Sequence, residues 1–262
     1  MNLNDVTAEL KSLGDPESAV GMARYGIKSD RALGISIPKL QGLAKRIGKD
    51  TGLAEQLWSS AIHEARILAC MIEDPQRLTE AQMERWVKGF DSWDLCDQCC
   101  NRLFSKTAIG RKKAMAWSQR PEEFVKRAGF VLMAVLAVHD KEAADRQFEP
   151  FLKQIKKGAT DDRNFVKKAV NWALRQIGKR NLRFDHPEFG QMATRVGVLG
   201  PEGGAEGVDP RQGAAVGLHV QLPRHRQERL APEEVLAEID AAVGQPRRVG
   251  QIERGNPERL AG

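Results

Sequence analysis

The chain has 262 residues, of which 41 are basic and 35 acidic, so its net charge is +6. Its longest apolar run, around residues 128–138, is too short to cross a membrane and predicts a buried helix. The polar, acidic N-terminus differs from a secretory signal, which is basic and then apolar, so we expect a cytoplasmic protein. Four cysteines are too few for a disulfide framework in a chain of this size, and we expect partly buried reduced thiols.

The charge is unevenly divided along the chain. Residues 1–184 hold 17 Lys and 15 Arg against 23 acidic residues, whereas residues 185–262 hold 9 Arg and no Lys against 12 acidic residues. A basic globular part favours a polyanionic partner. The second stretch also holds 12 of the 24 Gly and 7 of the 12 Pro. We therefore predict a globular domain over residues 1–184 and, over 185–262, either a disordered tail or a terminus altered by a change of reading frame.

The globular part is predicted to be almost entirely helical, and no segment alternates apolar and polar residues as a strand does. Asp50 is placed to cap one helix, Thr79 and Gln82 form a capping box for another, and Asp161 is placed to cap the last. The predicted helices cover residues 3–13, 17–27, 38–47, 53–60, 63–73, 80–90, 108–117, 121–138, 142–157 and 163–179, with one more beginning at residue 93. The predicted fold class is all-α.

Two of these helices share a sequence pattern. Phe124-Val125-Lys126-Arg127-Ala128 matches Phe165-Val166-Lys167-Lys168-Ala169 at an offset of 41 residues. This offset fits the period of HEAT-type repeats, in which antiparallel helix pairs stack into a curved solenoid. Arg127 and Lys168 occupy equivalent positions, and we expect them to line the concave face of such a solenoid.

The stretch from Phe90 to Asp97 places an aromatic and an acidic side chain close together. Ser92 suits a helix N-cap, so Trp93 would begin a helix and Asp97 would lie one turn later on the same face. An indole and a carboxylate pointing the same way suit a ligand that is flat and positively charged. The alternative interpretation makes Trp93 a core residue and Asp97 half of a surface ion pair.

Other polar groups carry weaker signals. Cys96 and Cys99 form a C-x-x-C, but they lie inside a predicted helix with no second pair, so we do not expect zinc or redox chemistry. We interpret His63 and Glu64 as part of a buried structural network. Asp94 is expected to serve the helix N-terminus.

Taken in order, several motifs resemble the DNA alkylation repair enzymes of the AlkD type, which are HEAT-like repeat DNA glycosylases acting on alkylated purines. The resemblance covers about residues 17–183. The family's C-terminal helices are not recognisable after residue 184. The motifs that carry the resemblance are Met22-Ala23-Arg24-Tyr25, Leu33-Gly34-Ile35 with Pro38, Trp93-Asp94-Leu95-Cys96-Asp97, Lys126-Arg127-Ala128 and Trp172-Ala173-Leu174-Arg175.

The resemblance implies roles for individual residues. Asp97 would be the catalytic carboxylate, and Trp93 would contact the alkylated nucleotide. Arg127 would be the arginine beside the lesion, with Trp172 and Tyr25 as further contacts. The implied partner is double-stranded DNA carrying alkylated bases, bound by a monomer that uses no metal or cofactor.

The implied reaction is hydrolysis of the N-glycosidic bond of cationic N3- or N7-alkylated purines. Such a base already carries positive charge and leaves without a general acid, so the protein has to stabilise an oxocarbenium-like sugar. A fixed carboxylate such as Asp97 suits that task. The main alternative is a non-catalytic HEAT-repeat protein that binds DNA or another protein.

Overall fold

The computed structural model describes residues 1–27 and 29–180, which form a stack of helices with no strand in this part of the chain. The predicted stretch 185–262 lies outside the described residues. Short 3-10 turns occur at Ala23–Tyr25, Ser29–Arg31, Phe104–Lys106 and Asp145–Gln147. The α-helices are α1 (Leu3–Leu13), α2 (Pro16–Met22), α3 (Ile37–Ile47), α4 (Thr51–Ser59), α5 (His63–Ile72), α6 (Glu80–Lys88), α7 (Trp93–Arg102), α8 (Gly110–Trp117), α9 (Glu123–His139), α10 (Glu149–Gly158) and α11 (Asn164–Arg180).

Polar side chains cap the N-termini of two helices, as the sequence predicts. Asp50 accepts the main-chain N–H of Leu53 at 2.9 Å, and Thr79 accepts that of Gln82 at 3.1 Å. Each bond satisfies an N–H that has no partner within its own helix. The side chain of Gln82 does not return to Thr79 but donates to the buried carboxylate of Glu73 at 2.8 Å. The predicted capping box is therefore only half formed.

The helices pack in two layers. In one layer α3, α5, α7, α9 and α11 contact each other in that order, and α4, α8 and α10 pack against α5, α9 and α11 respectively. The long helix α9 lies at the centre, and every residue from 127 to 137 is buried. This confirms the buried helix expected from the apolar run. Full burial of one large apolar side chain contributes about 1.5–3 kcal/mol, so these contacts dominate the stability of the stack.

Two predicted helices are shorter than expected. The helix predicted over residues 17–27 ends at Met22 and continues as a 3-10 turn that closes at Gly26, where φ is 76°. The helix predicted over residues 142–157 covers only Glu149–Gly158. Pro150 explains the late start, because proline suits the first turn of a helix and disfavours helical structure before it.

Two of the four cysteines differ from the reduced thiols that the sequence predicts. Cys70 of α5 and Cys99 of α7 are joined by a disulfide, with their Cα atoms 5.3 Å apart, whereas Cys96 and Cys100 are free thiols in the core. Neighbouring helices bring Cys70 and Cys99 within the range that a disulfide requires, although 29 residues separate them in sequence. Sequence spacing shows only the C-x-x-C of one helix and not this pairing across two helices.

Among the helices of the described ranges, none is long and apolar enough to span a bilayer.

Candidate functional site

The first two turns of α7 carry the predicted aromatic and acidic pair. Ser92 occupies the N-cap position, although its hydroxyl makes no capping bond. Trp93 is half-buried, and its indole N–H donates to the main-chain oxygen of Tyr25 at 2.9 Å. Asp97, one turn later, is only 3% exposed. The helical spacing thus puts the two residues on one face, with the carboxylate facing the interior of the stack.

Arg127 of α9 holds the carboxylate of Asp97 from across the helix interface. Its Nε donates to Oδ1 at 2.9 Å and its Nη2 to Oδ2 at 2.8 Å, while its Nη1 donates to the main-chain oxygen of Phe165 at 2.6 Å. Burial raises the pKa of Asp97, and the charge and hydrogen bonds of Arg127 oppose that shift. The two short parallel bonds are the geometry of a buried, bidentate carboxylate–guanidinium pair, rather than the surface ion pair of the alternative interpretation.

Two phenylalanines of α9 and α11 lie near this ion pair, since Phe124 is three residues before Arg127 in the chain and the main-chain oxygen of Phe165 accepts a hydrogen bond from Arg127. The rings of Phe124 and Phe165 lie 5.5 Å apart between centroids. Gly26 approaches Phe165 so closely that a Cβ atom there would be 2.8 Å from the ring. Sequence reasoning missed all three residues as parts of the site. The repeat could have indicated the two phenylalanines, since each is the first residue of the repeated pattern.

The remaining residues predicted to contact DNA lie on α11 and in the 3-10 turn Ala23–Tyr25 after α2. Lys168 is exposed and Trp172 is half-buried against the core. Phe165, Lys168, Trp172 and Arg175 follow a spacing of three and four residues, which places them along one side of α11. Tyr25 is 62% exposed, and only its main-chain oxygen bonds to Trp93. In the described part of the chain, no hydrogen bond or ring contact joins Trp172 to Trp93.

A second polar network supports the start of α7. His63 is buried, with its Nε2 2.7 Å from Oδ2 of Asp94. Burial lowers the pKa of His63, but the hydrogen bond and charge of Asp94 outweigh it, so the pKa is raised. The sequence predicts that Asp94 serves the N-terminus of its own helix. The structure adds a bond from Asp94 to a histidine of α5. This network connects the N-terminal ends of α5 and α7.

Glu64 anchors the loop before α3. Its carboxylate accepts the main-chain N–H groups of Leu33 at 2.8 Å, Gly34 at 2.7 Å and Ile35 at 3.2 Å. Glu64 is 1% exposed, so these bonds replace water for a buried charge. The interpretation of His63 and Glu64 as a buried structural network is confirmed. Nowhere in the described ranges do three or more His, Cys, Asp or Glu side chains converge as metal ligands.

Together, the fold and the site define a helical-repeat protein in which a half-buried tryptophan and a buried carboxylate–guanidinium pair lie at the start of α7. The sequence model of the family described as "DNA alkylation repair enzyme" matches residues 6–185. The chain therefore belongs to this family of DNA repair proteins. A search of curated proteins finds no match.

Among solved structures, the chain is similar to one described as "A new family of proteins related to the HEAT-like repeat DNA glycosylases with affinity for branched DNA structures". The TM-score is 0.67 at 22% sequence identity, and the alignment covers 75% of this chain and 84% of that chain. At this identity the likeness shows the fold alone. It confirms the predicted all-α, HEAT-like repeat architecture.

Proposed function

We propose that the protein is a metal-independent DNA glycosylase that hydrolyses the N-glycosidic bond of cationic N3- or N7-alkylated purines in duplex DNA. The observation that carries the proposal is the convergence of Trp93, Asp97 and Arg127 from two adjacent helices in a member of a DNA alkylation repair family. An indole, a fixed carboxylate and a guanidinium match a substrate that combines a cationic base, a sugar that becomes positive and a phosphate.

Asp97 has the central role in this reaction. Breaking the C1'–N bond leaves positive charge on the sugar, and a preorganised carboxylate stabilises that charge more than water does. In the DNA-free protein, Arg127 occupies both carboxylate oxygens. Substrate therefore has to draw Arg127 away from at least one of them. A DNA phosphate suits this exchange because guanidinium groups bind phosphate and carboxylate with the same two-pronged geometry.

The aromatic residues account for the preference for a charged lesion. Trp93 and Trp172 pack against the sugar and the cationic nucleotide, since an indole face attracts a cation. Tyr25, with its ring exposed, contacts the strand beside the lesion, and Lys168 contacts a phosphate. The partner in this proposal is double-stranded DNA bound by one copy of the chain.

A second candidate function is non-catalytic DNA binding. The burial of Asp97 favours it, because the carboxylate is 3% exposed and both of its oxygens are already bound by Arg127. The similar solved structure belongs to proteins described as having affinity for branched DNA, which makes binding without excision a real alternative. In this case the ion pair would fix the packing of α7 against α9 and take no part in chemistry.

The experiment that separates the two is release of 7-methylguanine and 3-methyladenine from methylated duplex DNA. Wild type is compared with Asp97→Asn, with heat-treated protein as the blank and Asp162→Asn as the control that removes an exposed carboxylate. We expect Asp97→Asn to lose roughly 100-fold or more of the activity and Asp162→Asn to keep it. Retained DNA binding with no release by wild type would establish the non-catalytic function instead.

We also propose that residues 1–184 are sufficient for this activity and form the glycosylase domain. The composition of residues 185–262, with 12 Gly and 7 Pro, supports a boundary at residue 184. A chain ending at residue 184 should melt within a few degrees of the full chain and retain base release. Loss of soluble protein on truncation would place the boundary farther along the chain.

A further inference from the structure

Basic side chains gather at the C-terminal ends of α7 and α9, the ends opposite the candidate site. We call this surface the basic edge and define it as Arg102, Lys106, His139 and Lys141, with Lys49 beside it. Arg102 ends α7, Lys106 lies in the 3-10 turn that follows, and His139 ends α9. The two helix ends are joined by His139, whose Nε2 lies 3.1 Å from Oδ1 of Asn101. The basic edge is therefore formed by adjacent helices and not by one run of sequence.

Positive charges dominate the surroundings of these groups. Burial lowers the pKa of Lys106, and the charges of Lys49 and Arg102 lower it further. Burial also lowers the pKa of His139, and the positive charges of Lys106 and Lys141 lower it further. Within residues 1–27 and 29–180, neither Lys106 nor Lys141 forms a side-chain hydrogen bond or ion pair. An anion at this surface would therefore meet cations that repel each other in its absence.

Helix geometry alone explains part of this pattern. Carbonyl groups at a helix C-terminus attract cations, and Lys49 fills such a place by donating to the main-chain oxygens of Met71 at 3.1 Å and Glu73 at 2.7 Å. Arg180 does the same at the end of α9, where it donates to the oxygen of Asp140 at 2.5 Å. Lys106 and Lys141 donate to no carbonyl of the described chain. Their positive charges are left for another partner.

The basic edge lies at the opposite end of α7 from the candidate site. Trp93 and Arg102 are nine residues apart, which corresponds to roughly 13 Å along the helix axis at about 1.5 Å per residue. Nine residues correspond to about 2.5 turns, so Arg102 also lies on the other side of the helix from Trp93. A ligand that is long compared with one nucleotide can reach both ends of α7.

We propose that the basic edge is a second phosphate-contact surface, which binds the backbone of duplex DNA away from the nucleotide at Trp93 and Asp97. The charges come from successive helices, whose axes in packed proteins lie about 8–10 Å apart. Such an array suits a polymer that carries one negative charge per ~1.7 Å of its axis. A compact anion would contact only one or two of these side chains. This surface deepens the proposed function by naming a contact for DNA, but it requires only DNA binding and no excision.

The test measures binding of fluorescein-labelled, undamaged duplex DNA by the full-length protein over a range of salt concentrations. Lys106→Gln/Lys141→Gln removes two charges that have no partner in the described chain. Lys88→Gln/Lys153→Gln removes two exposed lysines, one of α6 and one of α10, and serves as the control. Because each phosphate contact contributes about 0.9 to the slope of log K against log salt, we expect the slope of the first variant to fall by roughly 2. At about 0.1 M salt its affinity should fall on the order of 10-fold or more, while the control stays within about 2-fold of wild type.

Several outcomes would overturn the proposal. Equal slopes for the two variants would mean that the basic edge makes no specific backbone contact. Polyglutamate is added as a competitor of the labelled DNA. If it displaces DNA from wild type as well as unlabelled duplex does, and the test variant loses this displacement, the surface would be assigned to an acidic protein. Unchanged melting temperatures exclude unfolding as the cause of any loss. Since undamaged DNA is the probe, failure of wild type to release bases would refute the glycosylase function and leave this comparison intact.

A second measurement uses the imidazole of His139. Contact with phosphate stabilises the charged form, so its NMR titration should move to higher pH when DNA binds. The resonance is assigned from the spectrum of His139→Gln. No movement in the complex would place the backbone elsewhere on the protein.

Discussion

The two ends of α7 and α9 handle charge in opposite ways. At the N-terminal ends, Asp97 and Arg127 are buried and bind each other through two hydrogen bonds. At the C-terminal ends, Lys106 and His139 are surrounded by further positive charges. The paired charges hold a fixed geometry without DNA, whereas the unpaired charges are available to a partner. The contrast indicates which substitutions should affect folding and which should affect binding.

Removing the arginine of the buried pair should have the largest effect. Arg127→Met leaves the carboxylate of Asp97 buried without its partner, which costs about 3–5 kcal/mol of unfolding free energy. Lys106→Met at the opposite ends should change it by about 0.5 kcal/mol or less. Urea denaturation measures both. The double variant Asp97→Leu/Arg127→Met should recover most of the loss, and a double variant as unstable as the single one would show that the ion pair is not the cause.

The two histidines should give opposite dependences of stability on pH. The folded-state pKa of His63 is raised above the unfolded value of about 6.5, so its contribution is fully present below that pH. It is lost as pH rises through the folded pKa. Unfolding free energies of wild type and His63→Gln should therefore differ by a constant amount below about pH 6.5 and converge as the pH rises above it. Curves that stay parallel would contradict a charged His63–Asp94 pair.

His139 tests the same contrast from the other end. Its pKa is lowered by burial and by Lys106 and Lys141, so the unfolded chain binds the proton more tightly than the folded one. Stability should rise as pH increases from the folded pKa toward about 6.5, and His139→Gln should remove that rise. The effect is expected to be smaller than that of His63, because solvent screens an exposed side chain. A fall in stability over this range, caused by His139, would contradict the repulsion among the basic residues.

The smallest changes in unfolding free energy are expected at the contact between the 3-10 turn Ala23–Tyr25 and α7. Trp93→Phe removes the indole N–H that donates to the main-chain oxygen of Tyr25 and should cost about 1 kcal/mol. Tyr25→Ala keeps that oxygen and removes only an exposed ring, so we expect a change of about 0.5 kcal/mol or less. Guanidinium denaturation compares the two. Equal losses would mean that the tyrosine ring also packs on Trp93.

Sequence periodicity predicted most of the fold because helical spacing and caps act within a few residues. The shared face of Trp93 and Asp97 follows from their spacing of four alone. Arg127 and Lys168 occupy equivalent repeat positions, yet the first is 5% exposed and the second lies on the surface. The difference arises because α9 is covered by α7 and α11 on its two sides, whereas α11 is the last helix of the described chain. Neighbours in space, which one sequence does not give, decide the environment.

The same limit explains the contacts that were missed. The Cys70–Cys99 pair and the bonds from Glu64 to the loop before α3 connect residues that are far apart in sequence. No local pattern marks them. In contrast, Pro150 is a local signal that accounts for the shortened α10, since it restricts its own backbone and that of the residue before it.

Gly26 has a consequence for sequence variation. Its φ of 76° disfavours any residue with a Cβ atom, and that atom would also meet the ring of Phe165 at 2.8 Å. If a library randomised residue 26 and was sorted for soluble, DNA-binding protein, it should return glycine almost alone. A library that also randomised residue 165 should admit asparagine at position 26 together with a smaller side chain in place of the phenylalanine. Gly26, which follows the first 3-10 turn, and Phe165 of α11 would then vary as a pair.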